Sequence, residues 1–522
     1  MNDFHGNIAE GNRFKGRAIG GAAVLGAYLK HERESFPGET FIVHAGDIVG
    51  ASPPQSALLQ DEPVIMMFNE LARNGTGGNT KERGYAVIGV PGNHEFDEGL
   101  GEFRRLIEGG NHERGPFLAD PYPGAEFPYI CANVVLKETK KPLLPPYLVQ
   151  KVNGAGIAFI GSTLQGIPSM VMPSGVADLE FVDEVEAINA AVNDIVNQGV
   201  RAIVVVIHQG GKQEFYEGTT RDSASPVTGP IVDIVRGLHK EVDVVIAGHT
   251  HNFTNALLPN AGDELVLVTQ AFSGGNAFGD IELTIDGKTG DVSAKTARIV
   301  PAWGDTALDV ERDRRIAEIV QSAREKVAPL VERRVGIANE YLSREANESG
   351  ESALGNLIAD AQRAAMNADI AFMNPGGIRA DLDSGEITWG ELYTIQPFNN
   401  HLVKMNLSGK ELRDVLEQQW IDQPYPRILQ VSGISVWWTD SRPSGERVLR
   451  LLDSNGVPII PSKEYAVVVN SYLAEGGDNF RVFTKGTNRT TGPLDLDALI
   501  SYIEKDRTGL YYGENKGRII RR

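Results

Sequence analysis

Four short runs of apolar, largely β-branched residues end abruptly in polar or glycine-rich turns: FIVHAGD at 41–47, YAVIGVPGNHE at 85–95, AIVVVIHQGG at 202–211 and VDVVIAGHTH at 242–251. Continuous apolar runs of this length predict strands buried on both faces of a sheet. Between them the apolar positions move to helical spacing, at 55–73 with Ala57, Leu58, Val64, Ile65, Met66 and Phe68, and at 184–198 with Val185, Ile188, Ala191 and Ile195. Strands alternating with helices predict a layered α/β architecture. Such sheets bind ligands where their strands end, and here the polar clusters sit at those ends.

The alternation breaks near Trp303. The stretch DVERDRRIAEIVQSAREKV at 309–327 carries Ile316, Ile319, Val320, Ala323 and Val327 at helical spacing with charges elsewhere, which predicts one amphipathic helix ended near Pro329. A second globular pattern follows. At 522 residues the chain exceeds one ordinary core, and about 100 to 200 residues per domain suggests two or three. The expected division is a first domain at 1–303, a connecting helix at 304–335 and a second domain at 336–522.

Composition narrows the chemistry. The 50 basic and 69 acidic side chains give a net charge of -19, which works against a nonspecific nucleic-acid groove or an anionic membrane surface. An anionic substrate then needs a local positive source, such as metal ions or a few placed arginines. The single cysteine, Cys131, excludes an intramolecular disulfide framework and any multi-cysteine zinc site. No apolar run is long enough to predict a membrane span, and no secretory signal peptide is recognisable.

The polar clusters are Asp3 and His5 in MNDFHGN; Asp47 in AGD; Asn93, His94, Glu95 and Asp97 in GNHEFD; His208 in VIHQGG; and His249 and His251 in GHTH. One histidine at a strand end is more often structural than functional. Five of the ten histidines converging on strand ends point instead to a shared site. This mix of imidazoles, carboxylates and an amide suits a two-metal hydrolytic centre, in which ions about 3.5 to 4 Å apart bridge an attacking water and neutralise phosphoryl charge. Mixed N and O donors favour zinc, manganese, iron or cobalt over calcium or magnesium. Glu95 has no evident role in such a centre.

The set D-x-H, GD, GNHE, H and GH-x-H resembles the calcineurin-like metallophosphoesterases, and GNHEFD resembles their 5′-nucleotidase and UDP-sugar hydrolase branch. The resemblance implies a four-layer β-sandwich flanked by helices, then a connecting helix and a C-terminal α/β nucleotide-binding domain. It implies two divalent metal ions, one held by Asp3, His5, Asp47 and His251 and the other by Asp47, Asn93, His208 and His249, with Asp47 bridging. His94 paired with Asp97 matches the family's catalytic dyad. The implied activity is hydrolysis of a nucleoside 5′-monophosphate, with UDP-sugar hydrolase and 2′,3′-cyclic-nucleotide phosphodiesterase as enzymatic alternatives. A noncatalytic nucleotide-binding receptor is the alternative of another class. The family resemblance also implies a periplasmic or extracellular location and a small-molecule nucleotide, not a nucleic acid, as partner.

The second half carries MNPGGIRADL at 373–382, YTIQPFNNHLV at 393–403 and NSYLAEGGDNF at 470–480, similar to the C-terminal domain of the same nucleotidases. By that resemblance Asn374 and Arg379 face the substrate and Phe480 supplies one face of a base clamp. Two positions depart from the pattern. Where the second clamp aromatic is expected, in YPRILQVSG at 425–433, the chain has Ile428, with Tyr425 as a possible substitute. A further family arginine, expected shortly before LGNLIADA at 354–361, has no counterpart in ANESGESALGN, and Arg344 is the nearest candidate. With metals in one half and the clamp in the other, the substrate is expected to bridge the halves, with hinge motion near 304–335.

Only Met1 and Asn2 precede Asp3, whereas in this superfamily Asp-x-His follows a buried strand. The sheet is therefore expected to lack its first strand, with neighbouring ladders unpaired. The natural reading frame is expected to extend upstream through an apolar strand and a signal peptide.

Overall fold

The computed structural model describes residues 1–11, 13–73, 85–221, 223–305, 312–423, 425–506, 508–512 and 517–522. Residues 306–311 of the expected connection, with the start of its helix, lie outside the described residues. The chain forms two units, Met1–Pro168 with Ser174–Lys326, and Ser169–Pro173 with Val327–Arg522.

The first unit is built on a six-stranded sheet in the order Phe253–Pro259, Leu265–Ala271, Val244–Ile246, Ala202–His208, Ala155–Thr163, Tyr147–Val152. Its four inner strands are parallel and its two outer ones antiparallel to their neighbours. Every residue of Ala202–His208 is buried, and successive side chains take opposite faces. Ile203, Val205 and Ile207 pack with Ile188, Val192 and Ile195 of the helix Glu184–Asn197. Val204 and Val206 pack instead against Val43, Ala45, Ile88 and Val90 of a second sheet. There Ile42–Ala45 pairs in parallel with Val87–Val90. Beyond that sheet, Phe68 of the helix Glu62–Arg73 lies against His44. Helix, sheet, sheet and helix make the four layers, and the parallel strands of both sheets end at the same polar loops.

The helix expected over 55–73 is broken into Pro54–Ala57 and Glu62–Arg73. Gln60 and Asp61 between them take φ of 51° and 54°. The break turns Asp61 so that its carboxylate accepts the Gly50 N–H at 3.0 Å. The helix at 184–197 starts where Asp183 accepts the Glu186 N–H, an N-cap that satisfies one of the orphan donors. The helix Arg314–Val331, whose last residues belong to the second unit, takes in Pro329 and ends close to it, as expected. So near the helix end, proline forfeits only its own bond to the Glu325 carbonyl and distorts no following turn.

At the N-terminus a short ladder is present. Ala45 N–H donates to the Met1 carbonyl at 2.9 Å, the Met1 amine to the Val43 carbonyl at 2.7 Å and Asp3 N–H to the Gly46 carbonyl at 3.0 Å. On the other side Gly274 N–H donates to the Asp3 carbonyl at 2.7 Å. In line with Met1–Asp3, a cavity of about 450 Å³ runs between Phe41–Val43 and the strand Ala277–Ile285, lined by Phe159, Val244, Ile246, Ile281 and Leu283. Among the described residues, Ala277–Ile285 pairs along its length only with Val292–Pro301.

The second unit holds a five-stranded mixed sheet, Gln430–Ser432, Ile370–Met373, Glu464–Asn470, His401–Ser408 and Thr487–Leu494 in order, and a three-stranded sheet, Val448–Asp453, Ile434–Trp438 and Ile519–Arg521. Ala359 and Met366 of the helix Ala353–Met366 pack on one face of the larger sheet with Ala371 and Val468. Leu412 and Leu416 of Gly409–Glu417 cover the other with Phe372, Val467 and Val469. Ser408 and Glu411 close a capping box at that helix's start.

Candidate active site

Apart from Asp3 and His5, the donors of the first unit lie where strands run out. His208 ends the strand Ala202–His208, Asp47 follows Ile42–Ala45, Asn93 and His94 follow Val87–Val90, and His249 and His251 follow Val244–Ile246. Asp3, His5, Asp47, His249 and His251 take φ between 48° and 70°. Left-handed backbone at non-glycine residues costs of order 1 kcal/mol or more each and clusters at functional sites. It aims these side chains inward from loops that no longer follow the sheet.

Three groups of donor atoms lie within 4.8 Å of one another: Asp3, His5 and His251; His5, Asp47 and His94; and Asp47, His208 and His249. Asp47 belongs to the last two, with Oδ2 3.0 Å from His208 Nε2 and 3.9 Å from His5 Nε2. His5 Nε2 and His251 Nε2 are 2.9 Å apart, and His251 Nε2 is 3.4 Å from Asp3 Oδ1. Nitrogens each about 2.0–2.1 Å from one zinc-sized ion end roughly 3 Å apart, so this convergence fits a metal centre. Asn93 Oδ1 reaches to 3.3 Å from His208 Nε2. The far ring nitrogens are held by carbonyls, His208 Nδ1 by Ala45 at 2.7 Å and His5 Nδ1 by Gly50 at 2.9 Å. This is the outer support that turns Nε2 of metal-binding imidazoles toward the ion.

The charges agree. Burial and the neighbouring His251 and His94 imidazoles hold His5 well below its ordinary value, and burial with His208 takes His249 down to about 4. Both therefore stay in the neutral, metal-binding form. Burial would raise the Asp47 carboxyl, but His208 and His94 outweigh it and hold it well below the usual carboxylate range. Burial opposes a proton on His208, yet the Asp47 carboxylate lifts it to about 9. A divalent ion among these donors would take the place of that proton.

His94 Nδ1 is 2.6 Å from Asp97 Oδ2. His94 N–H donates to Asp47 Oδ1 at 2.8 Å, which ties the dyad to the shared carboxylate. Gly92 has no room for a side chain, since a Cβ there would lie 2.2 Å from Asp47 Oδ1. Sequence reasoning missed Asn2, whose amide donates to Asp3 Oδ2 at 2.7 Å and whose oxygen accepts the Ala271 N–H at 2.9 Å. Its place next to Asp3 was the only signal available.

Of the expected substrate residues in the second unit, Phe480 and Asn374 are buried, and Ile428 and Arg379 are partly exposed. Phe480 is fully buried with Leu473, Val469 and Phe483 in the core, so it offers no face to a base. Asp478 and Asn479 before it, at φ 54° and 62°, turn the chain inward. Ile428 is half-buried against the same core and its side chain closes over Gly350. Asn374 is buried too, donating to Asp478 Oδ2 at 3.1 Å and accepting from Asn470 at 3.0 Å. Its amide orders the Asp478 loop instead of facing a ligand. Arg379 is half-exposed, with its guanidinium 5.9 Å from the Phe398 ring centre. Arg344, distant in sequence, donates to the Arg379 carbonyl at 2.8 Å, which puts the two arginines side by side. Tyr425 is 63% exposed and Arg427 lies 5.3 Å from its ring centre, while Arg427 also pairs with Asp478.

Comparison with known proteins places these observations. Residues 1–253 match the family model of calcineurin-like phosphoesterase, and residues 332–485 that of the 5′-nucleotidase C-terminal domain. The chain is 35% identical to endonuclease YhcR of Bacillus subtilis over 99% of its own length, and 32% identical to cell wall protein Lmo0130 of Listeria monocytogenes over 97%. It spans 40% and 66% of the length of those two relatives. The structure of a 5′-nucleotidase precursor from Thermus thermophilus superimposes with a TM-score of 0.79 at 27% identity, covering 100% of this chain and 98% of that one. With a phosphoesterase model over its first part and a nucleotidase model over its second, the chain belongs to the 5′-nucleotidase family.

Proposed function

We propose that this chain hydrolyses nucleotides, with conversion of a nucleoside 5′-monophosphate to nucleoside and inorganic phosphate as its main reaction. The observation that carries this reading is the Asp47 carboxylate, shared between donors arriving from the His208 side and from the His5 side. Asp3, His5, Asp47 and His251 would hold one divalent ion, and Asp47, Asn93, His208 and His249 a second. Bound there, zinc, manganese, iron or cobalt supplies an activated water and neutralises phosphoryl charge.

The chain's own residues do the rest. His94, its ring oriented by Asp97, donates to the phosphoryl oxygens as charge builds on them. Arg379 and Arg344 offer planar donor forks to nucleotide oxygens. Tyr425 provides the exposed aromatic surface that a base can stack on, in place of Phe480. A location outside the cytoplasm accords with the relative named as a cell wall protein, and no helix of the described residues is long and apolar enough to cross a membrane.

The test is a substrate panel at fixed metal: nucleoside 5′-monophosphates, a UDP-sugar, a 2′,3′-cyclic nucleotide and p-nitrophenyl phosphate, each with and without chelator. The expected result is metal-dependent turnover that is fastest on the monophosphates. Turnover that survives complete chelation would remove the two-metal reading. A UDP-sugar or cyclic nucleotide turned over fastest would reassign the substrate.

A further inference from the structure

Glu95, in the middle of GNHEFD, is 4% exposed and sits on the loop that carries Asn93, with its carboxylate reaching the loop that carries Asp47. Its carboxylate accepts three backbone N–H groups: Asp47 at 2.9 Å, Gly92 at 2.5 Å and Ile48 at 2.9 Å. The parallel ladder between Ile42–Ala45 and Val87–Val90 stops at the pair Ala45 and Val90. Past that pair the two backbones no longer bond to each other as a sheet, yet their N–H groups are buried and need acceptors. The Glu95 side chain supplies them from both loops at once and extends the connection by one side-chain bridge.

What is bridged matters. Asp47 sits at φ 50°, a strained backbone that must be held by its surroundings. Two of the three bonds go to Asp47 itself and to the residue after it. The third goes to Gly92, adjacent to Asn93. The His94 N–H meanwhile holds the Asp47 carboxylate at 2.8 Å. Asp47 is thus fixed by its backbone through Glu95 and by its side chain through His94, and both fixings come from one loop.

We propose that Glu95 is a positioning residue that sets the Asp47 and Asn93 loops at the separation the metal pair requires. The proposal rests on the two-metal reading above. Glu95 is in none of the three donor groups; it acts through the backbone of the ligands. An apolar side chain that merely filled the space would leave three buried donors unsatisfied. A carboxylate meets all three.

The experiment compares the full chain with Glu95→Gln and Glu95→Asp, reading metal stoichiometry and affinity by competition with a chromophoric chelator, using Zn²⁺ and Mn²⁺ alone, with kcat, KM and thermal midpoint alongside. Gln keeps the shape but turns an NH₂ toward a backbone donor, and Asp keeps the charge but loses reach. Both are expected to weaken at least one metal site by about 10- to 100-fold, the usual effect of removing an outer support. kcat should fall with KM unchanged within about twofold, and Asp should retain more than Gln. Should Gln not fold, the same readouts on Asp decide. Wild-type metal affinity and kcat in a variant with only a lowered thermal midpoint would overturn the proposal and leave Glu95 a structural crosslink. A wild-type chain that does not take up two ions would instead overturn the reading on which the proposal rests.

Discussion

His94 donates its backbone N–H to Asp47 Oδ1 at 2.8 Å and holds Asp97 Oδ2 with its ring at 2.6 Å. One residue therefore joins the shared carboxylate to the proposed charge-stabilising dyad, but by different atoms. The side chain is separable from the backbone bond. Asp47→Asn is expected to lose metal and activity together. His94→Ala should keep both metals and lower kcat by about 10²- to 10³-fold, the usual cost of removing one stabilising donor. Metal analysis of the two purified variants checks this, and stoichiometric loss of metal from His94→Ala would sink the division of roles.

The aromatic residues of the second unit separate stability from recognition. Phe480→Ala should cost about 3 to 5 kcal/mol of stability, as for a fully buried ring, and lower the denaturation midpoint. Tyr425→Ala should leave stability nearly unchanged and raise KM for nucleoside monophosphates far more than for p-nitrophenyl phosphate. Equal KM effects on both substrates would show that no base stacks on Tyr425.

His44 makes acid stability testable. It is completely buried against Phe68, Phe127 and Tyr129, neither ring nitrogen has a hydrogen-bond partner among the described residues, and burial lowers it to about 3. The unfolded chain takes up this proton below about 6.5, while the folded protein refuses it down to about 3. Stability from this group is complete above the unfolded value and is lost as pH falls from there, by at most about 1.4 kcal/mol per pH unit. His44→Phe removes the loss. Its denaturation curves and those of the wild type should diverge progressively between the two values, and parallel curves would refute the assignment.

The cavity beside Met1 lies between Phe41–Val43 and the strand Ala277–Ile285. The Met1 amine and carbonyl already follow the parallel register of Ile42–Ala45, so an extension ahead of Met1 would run along Phe41–Val43, facing Ala277–Ile285 on its other side. Five or six apolar β-branched residues, roughly a typical strand, fused in front of Met1 should raise the thermal midpoint and tighten the metal held by Asp3 and His5. A Gly/Ser extension of equal length should do neither. The same response from both fusions would show that the cavity does not accept a strand.

The sequence by itself determined the layered α/β pattern and the places where its strands end, because apolar periodicity is a local property of the chain. Since open α/β sheets gather ligands at strand ends, Asp3, His5, Asp47, Asn93, His208, His249 and His251 could be grouped from their positions in the chain alone. Tertiary structure decided what periodicity does not encode. Glu95 has its acceptor role because Asp47 and Ile48, 48 and 47 residues away, turn their N–H groups toward it. Arg344 reaches Arg379 through folding despite a separation of 35 residues. The helix at 55–73 breaks where Asp61 finds Gly50. Phe480 and Asn374 carry the right letters for binding, yet the fold commits one to the core and the other to Asp478. Burial and hydrogen-bond partners depend on segments far apart in the chain, so residue type alone could not tell a ligand-facing side chain from one that holds the unit together.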